Sequence, residues 1–118
     1  MNKDEMKTRT KQFALDVMRQ VESLPKGKTA DILGRQLMRS GTAVGANYRS
    51  ACRAKSTADF ISKIGIVEEE ADETLFWLEL LVESKVIKKE DLQSLMKEAD
   101  EILAITVSSI KTAKSRGK

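Results

Sequence analysis

Four arginines and a lysine, Arg35, Arg39, Arg49, Arg53 and Lys55, are the side chains whose type and spacing best suit chemistry. Arg35 and Arg39 are four residues apart, as are Arg49 and Arg53, so on a helix each pair stacks on one face. Fourteen residues separate Arg39 from Arg53, close to four helical turns, which brings both pairs to roughly one side. A row of this kind suits phosphate, because each guanidinium can grip two oxygens. Like charges stacked at this spacing destabilise a helix slightly, so the row calls for an anionic partner. Two partners fit: the phosphates of RNA or DNA, or the carboxylates of a neighbouring helix or subunit. Aromatic residues make up only 4% of the chain. With few rings to stack on bases, nucleic-acid contact is expected at the backbone and not at the sequence.

Acidic residues are segregated from this row. Lys26 to Lys63 holds eight basic and two acidic residues, a sum of +6, whereas Ile64 to Glu83 holds seven acidic residues and no basic one, a sum of −7. The net charge of the whole chain is only +3. Glu69, Glu70, Asp72 and Glu73 form a carboxylate cluster of the kind that can bind magnesium or manganese. No matching pair lies on another helical segment, and the cluster reads as a solvated or salt-bridged face with no metal and no cofactor. The chain has no histidine. That removes the commonest general base and excludes histidine-containing zinc or di-iron sites. Cys52, flanked by Arg49 and Arg53, has no histidine to act as its base and reads as a small buried residue. Ser40, Thr42 and Ser50 lack an activating partner for the same reason. No catalytic residue is therefore assigned, and the protein is expected not to be an enzyme.

The elements that must position these groups are helices. Met6, Thr10, Phe13, Val17, Val21 and Leu24 recur in steps of three and four and predict a helix over about 3–24, broken by Pro25 and Gly27. A second helix is predicted over 29–53, with Leu33, Leu37, Val44 and Ala51 on its inner stripe. Its middle, Ser40 to Asn47, is crowded with small residues and holds Gly41 and Gly45, each costing about 1 kcal/mol against alanine unless a neighbour approaches closely. A third helix, 56–83, opens on a Ser56 cap, and Phe60, Ile64, Val67, Ala71, Leu75, Leu78 and Val82 follow a heptad. A fourth, 89–114, is marked by Leu92, Leu95, Ala99, Ile102 and Thr106, and the basic tail through 115–118 is expected to fray. Asn47 falls near the inner stripe of helix 2, where it is expected to be buried and to bond Glu70 or Glu73, fixing the register of the two helices.

Four long helices with short links, in 118 residues, predict one all-α domain: an antiparallel up-and-down four-helix bundle. No apolar run is long enough to span a membrane, the N-terminus is polar and unlike a signal peptide, and the single cysteine cannot form an internal disulfide. The cytoplasm is the expected location. Between Leu75 and Val82 only Glu79 is polar, so that stretch is apolar around most of the helix. A helix exposed on a lone bundle keeps a wet face. The bundle is therefore expected to be one stave of a larger ring.

Two stretches carry a family resemblance. Leu33 to Ala54, with Gln36-Leu37, Arg39-Ser40-Gly41-Thr42-Ala43-Val44-Gly45-Ala46-Asn47, is similar to the signature of four-helix-bundle proteins related to 23S rRNA intervening-sequence proteins. Ser56, Asp59-Phe60-Ile61, Lys63, Glu69 to Thr74 and Trp77-Leu78 continue the likeness, which covers about half the chain. The resemblance implies an up-and-down bundle and assembly into a homopentameric ring. A related branch, the accessory proteins of diversity-generating retroelements, implies nucleic-acid binding and a protein partner on a basic surface.

Overall fold

Each helix starts and stops where local chemistry dictates. The structure, a computed structural model, describes residues 2–116 and comprises α1 (Lys3–Glu22), α2 (Lys28–Cys52), α3 (Thr57–Glu83) and α4 (Lys89–Arg116). Asn2 caps α1 reciprocally: its side-chain oxygen accepts from the Glu5 amide at 2.8 Å and its side-chain NH2 donates to the Glu5 carboxylate at 2.8 Å. Ser56 caps α3 as the sequence predicts, accepting from the Asp59 amide at 3.1 Å. Gly27 enters α2 with φ of 154°, a geometry that side chains resist. The end of α3 is a Schellman motif in which Lys85 takes the left-handed position, φ 65°. The Val86 amide closes it on the Leu81 carbonyl at 3.1 Å, and the Lys85 amide on the Val82 carbonyl at 3.0 Å.

The predicted boundaries shift by one or two residues, with one correction. The basic tail does not fray from residue 115: α4 stays helical to Arg116, and residues 117–118 lie outside the described residues. Lys114 and Arg116 in the last turn complement the negative end of the helix, which favours its persistence.

The helices run up and down in chain order. α1–α2, α2–α3 and α3–α4 pack along their lengths, while α1 and α4 touch far less. The bundle measures 50 × 21 × 19 Å. Phe13, Val17, Leu37, Val44, Ile64, Val67, Leu78, Leu81, Leu92 and Ile102 form its fully buried centre. On α3 the heptad reading holds from Ile64 to Ala71 and then slips. Thr74 and Leu81 are buried, whereas Leu75 and Val82 are only half-buried. The buried positions keep unbroken steps of three and four through Ile64, Val67, Ala71, Thr74, Leu78 and Leu81, whereas the predicted stripe takes two successive steps of four by choosing apolar Leu75 over polar Thr74, and so leaves that register.

The small residues of α2 are used within the bundle. A Cβ on Gly41 would lie 2.8 Å from both γ-methyls of Val17, and one on Gly45 would lie 3.2 Å from the Thr10 carbonyl oxygen. These glycines let α1 approach α2. On the α3 side, the buried hydroxyls of Ser40 and Thr74 bond each other at 2.9 Å. The apolar stretch of α3 stays partly uncovered at Phe76, which is 51% exposed, and Ile66, earlier on the same helix, is 40% exposed. No helix among the described residues is long and apolar enough to cross a membrane.

Candidate nucleic-acid interface

The arginine row divides. Arg39 reaches across to α3, where its Nη1 and Nη2 donate to the two oxygens of Glu70 at 3.1 and 3.0 Å and Nη2 also donates to Glu73 at 2.8 Å. This fork, led by the hydrogen bond to Glu70, raises the pKa of the guanidinium. Glu73 also accepts from the Trp77 indole at 3.2 Å. Its carboxyl is held below the ordinary range, first by Arg39 and against a smaller opposing effect of burial. Part of the acidic face on α3 is thus the counter-charge of one member of the row.

Asn47 does something other than the sequence suggests. It is half-buried, and its side-chain NH2 donates to the Ala43 carbonyl of its own helix at 2.8 Å, so it bonds neither Glu70 nor Glu73. Lying between the inner stripe and the solvent face, it can satisfy itself on the preceding turn. The register role falls to Ser40, Thr74 and Arg39. Ser40 and Thr74 sit at inward positions that a polarity-based reading passes over, and their placement 34 residues apart in sequence gives no local signal.

The remaining cations are open. Arg35, Arg49, Arg53 and Lys55 are exposed and make no ion pair among the described residues. Arg35 only returns to its own helix, donating to the Asp31 carbonyl at 3.4 Å. Arg49, Arg53 and Lys55 stand at one end of the bundle. The up-and-down topology brings the start of α1, the end of α2, the start of α3 and the end of α4 to that end. It thereby adds Lys3, Lys111, Lys114 and Arg116 to the same region, together with Asp4 and Glu5 of the first turn of α1. The nearby Asp59 is already engaged, by the Lys55 amide at 3.0 Å and the Lys63 ammonium at 3.1 Å, which together hold its carboxyl low. Basic residues at helix C-termini also complement the helix dipoles. One per terminus would serve that purpose, and this end carries several.

A groove of about 890 Å³ opens at this end. Lys3, Lys55 and Arg116 line it with five serine or threonine side chains and no acidic residue. Its floor includes Tyr48, Cys52 and Phe60, and the Lys3 ammonium lies 5.6 Å over the Phe60 ring. Burial, then the neighbouring Cys52, pushes the Tyr48 phenol up, so it stays neutral. Cys52 is unpaired and only half-buried, lining the groove, where the sequence suggests a buried residue. The groove joins residues from four separate segments and could not be assembled from the sequence, although the pairs Ser56-Thr57 and Ser108-Ser109 are visible there.

A second groove, of about 970 Å³, follows the loosely packed α1–α4 seam and is opposite in character. Asp4, Glu5, Asp16, Glu98 and Glu101 line it against Arg9 and Lys97. Arg9 bridges the seam by a fork, Nε to Glu98 at 2.6 Å and Nη2 to Glu98 at 2.7 Å, with Glu101 at 3.1 Å. Nothing in the spacing of residues 89 apart announces this pair. Among the described residues no group of cysteine and carboxylate side chains is arranged to hold a metal ion.

Fold and surface together define an all-helical bundle whose distinctive feature is a basic end. The chain belongs to the 23S rRNA-intervening sequence protein family, whose model matches residues 2–108. Its fold is similar to the crystal structure of a protein of unknown function from the S23 ribosomal protein family of Bacteroides thetaiotaomicron. The two share 36% identity with a TM-score of 0.87, over 94% of this chain and 99% of that one. No functionally curated protein is significantly similar to the chain.

Proposed function

We propose that the protein is a non-enzymatic, self-associating helical bundle that binds the phosphate backbone of RNA or DNA at its basic end. The observation that carries this reading is the contrast within the arginine row: Arg39 is held by two carboxylates, whereas Arg49, Arg53 and Lys55 are exposed and unpaired. Arg35 is an outlying contact on the same face. The family's name ties it to intervening sequences of 23S rRNA, which makes structured RNA the first ligand to try. A cytoplasmic setting accords with a single unpaired cysteine. Titration of a labelled structured RNA at several salt concentrations tests the reading. Affinity should fall steeply with salt. No binding at low salt, or binding unchanged by Arg49→Glu with Arg53→Glu, contradicts it.

The exposure of Phe76 and Ile66 favours a second reading, in which the bundle is a stave of a scaffold ring, pentameric by resemblance, with no nucleic-acid role. In that ring the basic face of one subunit meets the acidic α3 of the next. High salt should then loosen the assembly, measured by light scattering. An oligomer that survives charge reversal on α2 while RNA binding is lost rejects this alternative.

A further inference from the structure

The basic-end groove has a composition that plain backbone binding does not require. A phosphate tracks along a convex cationic surface without any cavity, yet here three cations surround a recess with an aromatic floor. Resting on the proposed nucleic-acid reading, we infer that this groove receives one unpaired nucleotide of the bound strand, with its base on Phe60 and its phosphate among Lys3, Lys55 and Arg116. Each part of the lining matches one part of that ligand. The cations, unopposed by any carboxylate in the groove, suit the phosphate. Hydroxyls such as Ser108 and Thr112 can both donate and accept, as the polar edges of a base and sugar require. The Phe60 ring offers a stacking face that tolerates any base.

Lys3 provides the device that couples the two halves. Its ammonium now lies 5.6 Å from the Phe60 ring centre, a cation–π contact over the face a base would occupy. An arriving phosphate offers that ammonium a full negative charge in place of a ring quadrupole. Lys3 then leaves the ring, and the base takes its place. The site discriminates by strandedness: a blunt duplex has no base to give, while a strand end or overhang does.

The test compares a blunt RNA duplex with the same duplex carrying a short single-stranded overhang, titrated against the full chain at one salt concentration. Wild type should bind the overhang form about tenfold more tightly, the scale of one stacked base. Phe60→Leu should abolish that preference and leave blunt-duplex affinity unchanged. Because Phe60 is part-buried, Ala104→Trp serves as a second variant: Ala104 is an exposed residue of the groove wall, and the indole would fill the recess without entering the core. Free nucleoside monophosphate added as competitor should reduce the overhang preference and spare blunt binding. Equal affinity for the two duplexes, or a preference that survives both variants, overturns the groove assignment while the backbone reading stands. Failure of both duplexes to bind overturns both.

Discussion

From Gly34 to Gly45, both the inner residues and the arginine Arg39 of α2 are tied to neighbouring helices; from Tyr48 onward the inner face stays buried through Tyr48 and Ala51, but the cations are unpaired. In the first stretch the glycines admit α1, Ser40 meets Thr74, and Arg39 is forked by Glu70 and Glu73. In the second, Arg49 in the last turn and Arg53 at the C-cap meet no carboxylate. The two stretches look alike in composition, since both place arginines four apart. What separates them is the acidic half of α3, which lies opposite the middle of α2 and gives way to Lys63 near its end. An arginine row is therefore not one site, and its function depends on what the antiparallel neighbour presents at each turn.

This contrast can be broken by experiment. The largest effect is expected from Arg49→Glu with Arg53→Glu, which should weaken RNA binding by at least about tenfold at low salt and lower thermal stability only modestly, through carboxylates at the negative end of α2. Gly41→Ala should do the reverse. Its Cβ would strike both γ-methyls of the fully buried Val17, and strain of about 1–3 kcal/mol outweighs the helix-propensity gain of about 1 kcal/mol. Urea unfolding should show a net loss with RNA affinity preserved. Gly65→Ala is the control, since nothing lies within 4 Å of its added methyl, and it should stabilise by up to about 1 kcal/mol.

Thr74→Val isolates the buried hydroxyl pair. Removing it leaves Ser40 with only a 3.5 Å contact to the Leu37 carbonyl, at a cost of about 1 kcal/mol in urea unfolding. The smallest effect belongs to Arg39→Met. The Arg39 side chain is 52% exposed, so solvent screening limits its ion pairs to about 1 kcal/mol or less. That contribution also has a pH signature. Because Glu73 is held below its ordinary range, the stabilisation is complete above the unfolded glutamate pKa and is lost as pH falls through the depressed folded value. Acid unfolding of wild type and Arg39→Met should therefore converge at low pH.

The sequence carried the architecture well, because helical periodicity and caps such as Ser56 are local. It also carried the arginine row, and it framed salt bridging to α3 as one of its two fates. It could not say which arginine met which fate, because that depends on how α2 and α3 register across a 34-residue separation in the Ser40–Thr74 pair. Asn47 misled because amide polarity near a core stripe predicts a buried partner, whereas it sits half-buried at the edge of that stripe and bonds its own helix instead. The α1–α4 bridge at Arg9 and the basic-end groove were illegible for one reason: each joins segments from opposite ends of the chain. The small residues of α2 argued for close packing, and the partner is α1. Phe76, 51% exposed, and Ile66, 40% exposed, are apolar groups of α3 that the bundle leaves uncovered.

The most direct test of the division is the salt dependence of RNA binding for two neutral variants. Each arginine that contacts a phosphate adds about 0.7–0.9 to the slope of log affinity against log salt. Arg49→Met with Arg53→Met should lower that slope by about 1.4–1.8, while Arg39→Met should leave it as in wild type. A slope that falls with Arg39→Met, or holds when Arg49 and Arg53 are both neutralised, would contradict the account.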